Sequence, residues 1–190
     1  IYFPQKENSR EYMTGFSHGS SGILMALYKV GKFIGIDSSD FIYKVLQTER
    51  ELYNSKDRVW YRGNKSQESS WAWCHGVPGI LLSRVDLYLD GYRDEKIEDE
   101  LRELYEITIE KSLGFNLTYC HGDFGNILIC KYVQSILNFD DSRISKYLDN
   151  LLPYLMKSRT LKLKGTESVG LMVGLMGVVE FLDNIYLQNK

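Results

Sequence analysis

Apolar positions along the chain recur mostly at helical spacing, in pairs of segments with different character. Ile23, Leu24, Ala26, Leu27 and Val30 form a broad apolar face, and Gly31 and Gly35 suit the exit from that helix. Ser38-Ser39-Asp40 offers an N-cap for a second helix carrying Phe41, Ile42, Val45, Leu46 and Leu52. The pattern then repeats. Ile80, Leu81, Leu82, Val85, Leu87 and Leu89 are apolar nearly all round, which predicts a helix buried on more than one side. From about Asp94 to Leu113, charges separate Ile97, Leu101, Leu104, Tyr105 and Ile109, which predicts an amphipathic, outward-facing helix. Ile127 to Phe139 is mostly apolar, Ile144 to Met156 is amphipathic, and a last apolar helix runs through about Leu182. Between Tyr53 and Ser70 the chain is polar and reads as a surface loop with a short strand at Val59-Trp60-Tyr61.

A glycine motif stands before each of the more apolar helices. It reads Ser17-His18-Gly19-Ser20-Ser21-Gly22, Cys74-His75-Gly76-Val77-Pro78-Gly79 and Cys120-His121-Gly122-Asp123-Phe124-Gly125. A fourth copy, Val173-Gly174-Leu175-Met176-Gly177, keeps the glycines and loses the polar residues. The copies lie roughly fifty residues apart, room for two helices and their connections. The predicted repeat is therefore glycine motif, inner buried helix, outer amphipathic helix. A ring or stack of helical hairpins follows, with the motifs gathered on one face.

Composition narrows the function classes. The 190 residues carry 23 Lys+Arg against 25 Asp+Glu, a net charge of −2, which excludes a basic nucleic-acid footprint as the main activity. At 44% hydrophobic and 13% aromatic, the chain has enough apolar side chain for a core. It has no apolar run long enough to span a membrane. Ile1-Tyr2-Phe3-Pro4-Gln5-Lys6 has neither a basic nor an apolar signal region and lacks Met, so the chain is expected to begin within a longer, cytoplasmic protein. Three cysteines at wide spacing make a poor disulfide framework and fit a reducing compartment.

The motif residues are chemically pointed. Cys74, Cys120 and His121 are a soft-ligand set suited to Zn²⁺, with a fourth position left for water or substrate. They also read as buried thiols and a hydrogen-bonded histidine; their recurrence in equivalent slots favours the ligand reading. His18 and His75 occupy related slots and are candidates for proton exchange, or for structural hydrogen bonds between helices. Cys130, inside an apolar helix, is expected in the core. Asp123 caps the following helix or touches substrate, capping being the commoner use. Trp60, Trp71 and Trp73 read as inter-helix packing before they read as a peptide-binding mouth. Gly15-Phe16-Ser17-His18-Gly19 also fits a nucleophile elbow, but Glu7 to Thr14 is polar and helix-compatible where that motif needs a buried strand.

Taken together, Gly15-Phe16-Ser17-His18-Gly19, Trp73-Cys74-His75-Gly76-Val77-Pro78-Gly79 and Cys120-His121-Gly122-Asp123-Phe124-Gly125-Asn126 resemble the lanthionine cyclase family. They are most similar to the cyclase domain of bifunctional class II lanthipeptide synthetases, and the resemblance covers essentially all 190 residues. It implies an all-α fold, an α/α toroid of helical hairpins, of which residues 1–190 would form the C-terminal half. It also implies zinc held by Cys74, Cys120 and His121, with His18 first and His75 second as acid/base residues. The family's assisting acidic residue is expected before Ile1. The implied activity is thioether formation in a dehydrated precursor peptide: a cysteine thiol adds to dehydroalanine or dehydrobutyrine.

The alternative is a truncated, non-catalytic module that keeps zinc and binds leader peptide or glutathione. A half toroid would leave apolar flanks bare, at Val169 to Leu182 and at Ile23, Leu24, Met25 and Leu27. Its expected partner is therefore the missing N-terminal part of a synthetase or a second copy of the chain.

Overall fold

A computed structural model of the chain describes residues 2–4, 6–157 and 168–187. In chain order the elements are α1 (Ser20–Phe33), α2 (Ser39–Arg50), β1 (Tyr53–Asn54), β2 (Val59–Gly63), β3 (Ser66–Ser69), α3 (Val77–Leu89), α4 (Ile97–Lys111), α5 (Asp123–Leu137), α6 (Ser142–Lys157) and α7 (Leu175–Leu187). The described residues fall into two compact units that divide inside α4, after Thr108.

The first unit contains α1, α2, the strands and α3. Leu24 and Tyr28 of α1 pack with Ile42, Val45 and Leu46 of α2, Leu87 of α3, Tyr92 and Ile97. Helix α3 is buried on most sides, as its composition predicts: Val77, Ile80, Leu81, Val85 and Leu87 are buried. Its last residue, Leu89, is the exception and is exposed. The caps differ from expectation. Ser38 makes no side-chain cap bond, and Asp37 instead accepts the Ser39 N–H at 2.9 Å. Asp94 does the same ahead of α4, accepting the N–H groups of Lys96 and Ile97, both at 2.9 Å.

Two departures from the sequence pattern shape this unit. The polar stretch after α2 is a three-stranded antiparallel sheet in the order β1-β2-β3, with Tyr53 opposite Trp60 and Tyr61 opposite Ser69. The expected strand at Val59-Trp60-Tyr61 is its central member. The second departure is a set of buried charges. Arg84 of α3 is fully buried and meets Glu49 of α2 at 2.8 Å and Glu100 of α4 at 3.3 Å. Glu49 also accepts the hydroxyls of Ser20 and Ser21, the first two residues of α1. Each charge taken from water thus has an opposite partner within 3.3 Å, though Arg84 Nη1 has no hydrogen-bond partner among the described residues.

In the second unit, Phe124 of α5 stacks on Phe181 of α7 at 3.8 Å between ring centroids. Ile127, Cys130 and Val133 of α5 are buried. Cys130 is a core thiol, as its apolar setting predicts. Ile144, Leu148, Leu152 and Leu155 supply the buried stripe of α6.

The glycine motifs are one loop built four times. Gly19, Gly76 and Gly122 are the N-caps of α1, α3 and α5, all extended, and α7 starts after Gly174. In every copy the first helical N–H donates to the carbonyl seven residues earlier: Ser20 to Met13 (2.8 Å), Val77 to Ser70 (3.1 Å), Asp123 to Asn116 (2.7 Å) and Leu175 to Ser168 (2.9 Å). The loop folds so tightly on the helix entrance that a Cβ on Gly76 would lie 1.8 Å from the Ser70 oxygen. One on Gly79 would lie 1.9 Å from the Trp73 oxygen. The glycines are required by close approach of backbone to backbone, not by their φ angles.

Candidate functional site

In the first unit the first loop lies on the second. Phe16 N donates to Trp73 O at 3.3 Å, and the N–H groups of Ser17 and His18 both donate to the Cys74 carbonyl, at 3.2 and 3.3 Å. Gly15, with φ +91°, allows the turn; a Cβ there would sit 2.5 Å from the His75 carbonyl carbon. The sheet braces this turn from the other side. Met13 bridges to Gly63, Thr14 N donates to Arg62 O at 2.9 Å, and Thr14 Oγ1 donates to Tyr61 O at 2.9 Å. Among the described residues no helix precedes His18, contrary to the helix-compatible reading of that segment, and the single bridge at Met13 is not the buried strand a nucleophile elbow needs.

These contacts bring the two candidate acid/base residues together. The imidazoles of His18 and His75 stack with centroids 4.3 Å apart and planes 9° from parallel. His18 is exposed and His75 half-buried. Cys74, between Trp73 and His75, is buried at 1% exposure. Trp73 stacks on Phe16 at 5.4 Å, and Trp60 is buried against Tyr53 at 4.1 Å, so both are packing residues.

In the second unit Cys120 and His121 stand together, with Cys120 Sγ 3.8 Å from His121 Nε2. His121 is exposed and Cys120 half-buried. Their loop is held at three points. Cys120 N donates to Met172 O of the fourth loop at 2.8 Å. Asn116 Nδ2 donates to His121 O at 3.1 Å, while Asn116 Oδ1 accepts from Thr118 N (3.0 Å) and Thr118 Oγ1 (2.7 Å). Asp123, almost fully buried, accepts from Gly114 N at 3.0 Å, Phe115 N at 3.3 Å and the Tyr147 hydroxyl. Burial raises the Asp123 carboxyl above the usual carboxylate range, and the Tyr147 and backbone donors offset part of that. Asp123 therefore fastens the loop before the motif rather than presenting its carboxylate at the surface. Tyr119 next to Cys120 donates to the Glu180 carboxylate; its burial, with this bond, raises the phenol.

A Zn²⁺ ion with one sulfur ligand at about 2.3 Å and one nitrogen at about 2.0–2.1 Å sets them roughly 3.6 Å apart when tetrahedral. The 3.8 Å between Cys120 Sγ and His121 Nε2 fits that demand without moving the backbone. The supporting residues are harder to read from sequence. Asn116-Leu117-Thr118 matches a glycosylation triplet, yet in the structure it is the hydrogen-bonded turn that carries His121. Its only local signal is the Asn-x-Thr spacing itself.

A fold of helical hairpins entered through glycine loops, three of which carry cysteine or histidine, defines a class. Residues 2–190 match the family described as lanthionine synthetase C-like protein, and the chain belongs to that family. Among solved structures, "Nisin cyclase" is similar at TM-score 0.70 and 21% identity, over 93% of this chain and 47% of that chain. The chain thus spans about half the length of that structure, and the shared fold is the α/α toroid. No curated protein sequence matches.

Proposed function

We propose that the chain is the C-terminal portion, over residues 1–190, of a zinc-dependent lanthionine cyclase of the class II synthetase type, acting in the cytoplasm on a dehydrated precursor peptide. Cys74, Cys120 and His121 hold one Zn²⁺ ion in this reading. The observation that supports it most is the 3.8 Å between Cys120 Sγ and His121 Nε2, in a loop held by Asn116 and by the Met172 carbonyl. Membership of the family and the order of the three motifs support it. When bound, the metal would supply an acidifying site for the peptide's cysteine thiol at neutral pH.

The residues of the chain supply the rest. The substrate sulfur bonds to Cβ of the dehydro residue, the Cα=Cβ pair shifts toward the carbonyl, and Cα then takes a proton. His18 is the first choice to hold that proton on an imidazole nitrogen. It is exposed, and its backbone is fixed by the Cys74 carbonyl. His75 stacks behind it and fixes the ring plane; it is the second choice. Among the described residues no helix is long and apolar enough to cross a membrane.

Metal analysis and a thiol assay test the proposal together. The purified chain is expected to carry one zinc, lost in Cys74→Ala and Cys120→Ala. Loss of free thiol from dehydrated precursor is expected to exceed the spontaneous rate and to drop about a hundredfold in His18→Ala. Zinc without rate enhancement would favour the binding-module alternative. A folded protein that takes up no zinc would remove both readings.

A further inference from the structure

In the second unit a single buried carboxylate joins α6 to the loop that carries Cys120 and His121. Ile144, Leu148, Leu152 and Leu155 form the buried stripe of α6. Tyr147 sits at the edge of that stripe, half-buried, and its hydroxyl donates to the Asp123 carboxylate. Packing alone asks for no donor there, since a phenylalanine ring would fill the same space. Asp123 is 1% exposed, and a hydrogen bond to a carboxylate is stronger than one between neutral groups.

The importance of this bond lies in what Asp123 holds. Its carboxylate accepts from Gly114 N at 3.0 Å and Phe115 N at 3.3 Å, and its own N–H donates to Asn116 O at 2.7 Å. One residue thus grips three consecutive residues of the preceding loop. That loop continues directly into a clamp on His121. The Thr118 hydroxyl donates to Asn116 Oδ1 at 2.7 Å and accepts from His121 N at 3.3 Å, while Asn116 Nδ2 donates to His121 O at 3.1 Å. Both backbone groups of His121 are therefore held by the 116–118 turn. The fit is close: a Cβ on Gly122 would lie 2.2 Å from Asn116 Oδ1. From the phenol of α6 to the backbone of His121, hydrogen bonds join one segment to the next.

We infer that Tyr147 is a positioning residue for the His121 imidazole, acting through Asp123 and the 114–118 turn. Its purpose rests on the zinc reading of the proposed function; the hold itself rests on the geometry alone.

The test compares the full chain with Tyr147→Phe, which removes one oxygen and keeps the ring. Hydrogen exchange, followed residue by residue by NMR without metal, is expected to speed up about tenfold at the amides of His121 and Asp123 and to stay unchanged at Val133 in the core of α5. Zinc affinity, read by competition with a chromogenic chelator, is expected to fall about fivefold, less than for a partner bonded directly to a ligand. Ile144→Val, which trims the same helix without touching the hydroxyl, is expected to leave both readouts at wild-type values. Asp123→Asn, which turns one acceptor oxygen into a donor, should move both readouts as Tyr147→Phe does, and it carries the test if Tyr147→Phe folds poorly. Unchanged exchange at His121 in both variants would overturn the inference. So would equal changes in Ile144→Val, or faster exchange with zinc affinity intact. A wild-type chain that takes up no zinc would remove the metal reading, and the exchange rates would still decide whether Tyr147 holds His121.

Discussion

Among single residues, Asn116 stands directly behind a candidate ligand: its amide donates to the His121 carbonyl and its oxygen accepts from Thr118. In Asn116→Ala the fold should survive while zinc affinity falls about tenfold, the usual cost of losing support behind a ligand. Competition with a chromogenic chelator would read this, and unchanged affinity would show that the loop stands without Asn116. Cys74, His75, Cys120 and His121 draw attention in the sequence by recurring beside paired glycines. Asn116, Glu49 and Arg84 do not, because each acts through partners fixed only when separate segments meet: Glu49 is buried against Arg84, thirty-five positions away.

Among elements, helix periodicity gave α1 to α6 to within a few residues and ended α7 about five residues early; burial on most sides left its trace in the composition of α3, whereas α1, similarly apolar, keeps Ile23, Leu27 and Val30 exposed. The sheet was harder. β1 and β3 are short and polar, without alternation, and only β2 carries the β-rich Val59-Trp60-Tyr61. Two predictions belong here. Gly76→Ala places a methyl against the Ser70 carbonyl and should cost about 3 kcal/mol or more, whereas Gly91→Ala meets nothing and costs only the strain of φ +97°, about 1–2 kcal/mol. Urea unfolding midpoints should fall in that order; equal shifts would contradict the close approach.

The second concerns Asp94, which caps α4 and pairs with Arg50 at 2.9 Å. Burial alone would raise its carboxyl, but the Lys96 N–H and Arg50 outweigh it and hold it below the usual range. A depressed carboxyl stabilises the fold above its unfolded value, near 3.9, and that contribution fades as pH falls through the folded value. Asp94→Asn should therefore lose roughly 1–3 kcal/mol at pH 7, and the gap to wild type should close in acid. A gap that stays constant from pH 7 to pH 2 would show that the charge is not what matters.

For the whole molecule, what stays open to solvent is informative. The expected apolar flanks are there in part. Ile23, Leu27, Val30, Phe33 and Ile34 run along one side of α1 at helical spacing, with Phe33 91% exposed. Val169, Leu171, Met172, Val173, Met176 and Val179 are exposed around the start of α7. Leu24, Val178 and Phe181, also expected on those flanks, are instead in the core. Exposed apolar area of this extent is uncommon on isolated soluble monomers. The purified 190-residue chain should therefore associate, with itself or with an added N-terminal portion of a synthetase. Light scattering after size exclusion is the check, and a stable monomer that binds zinc would count against it. The apolar flanks were expected from the resemblance to a toroid family; which of their side chains turn inward was settled only by packing.

The fourth loop gives the molecule an internal blank. It repeats the backbone of the other three, down to the same first hydrogen bond from Leu175 to Ser168, while Val173 stands where His18, His75 and His121 stand. Shape and reactivity are thus separable variables in this architecture. Any property shared by all four loops belongs to the scaffold, and any property missing from the fourth belongs to the side chains set upon it.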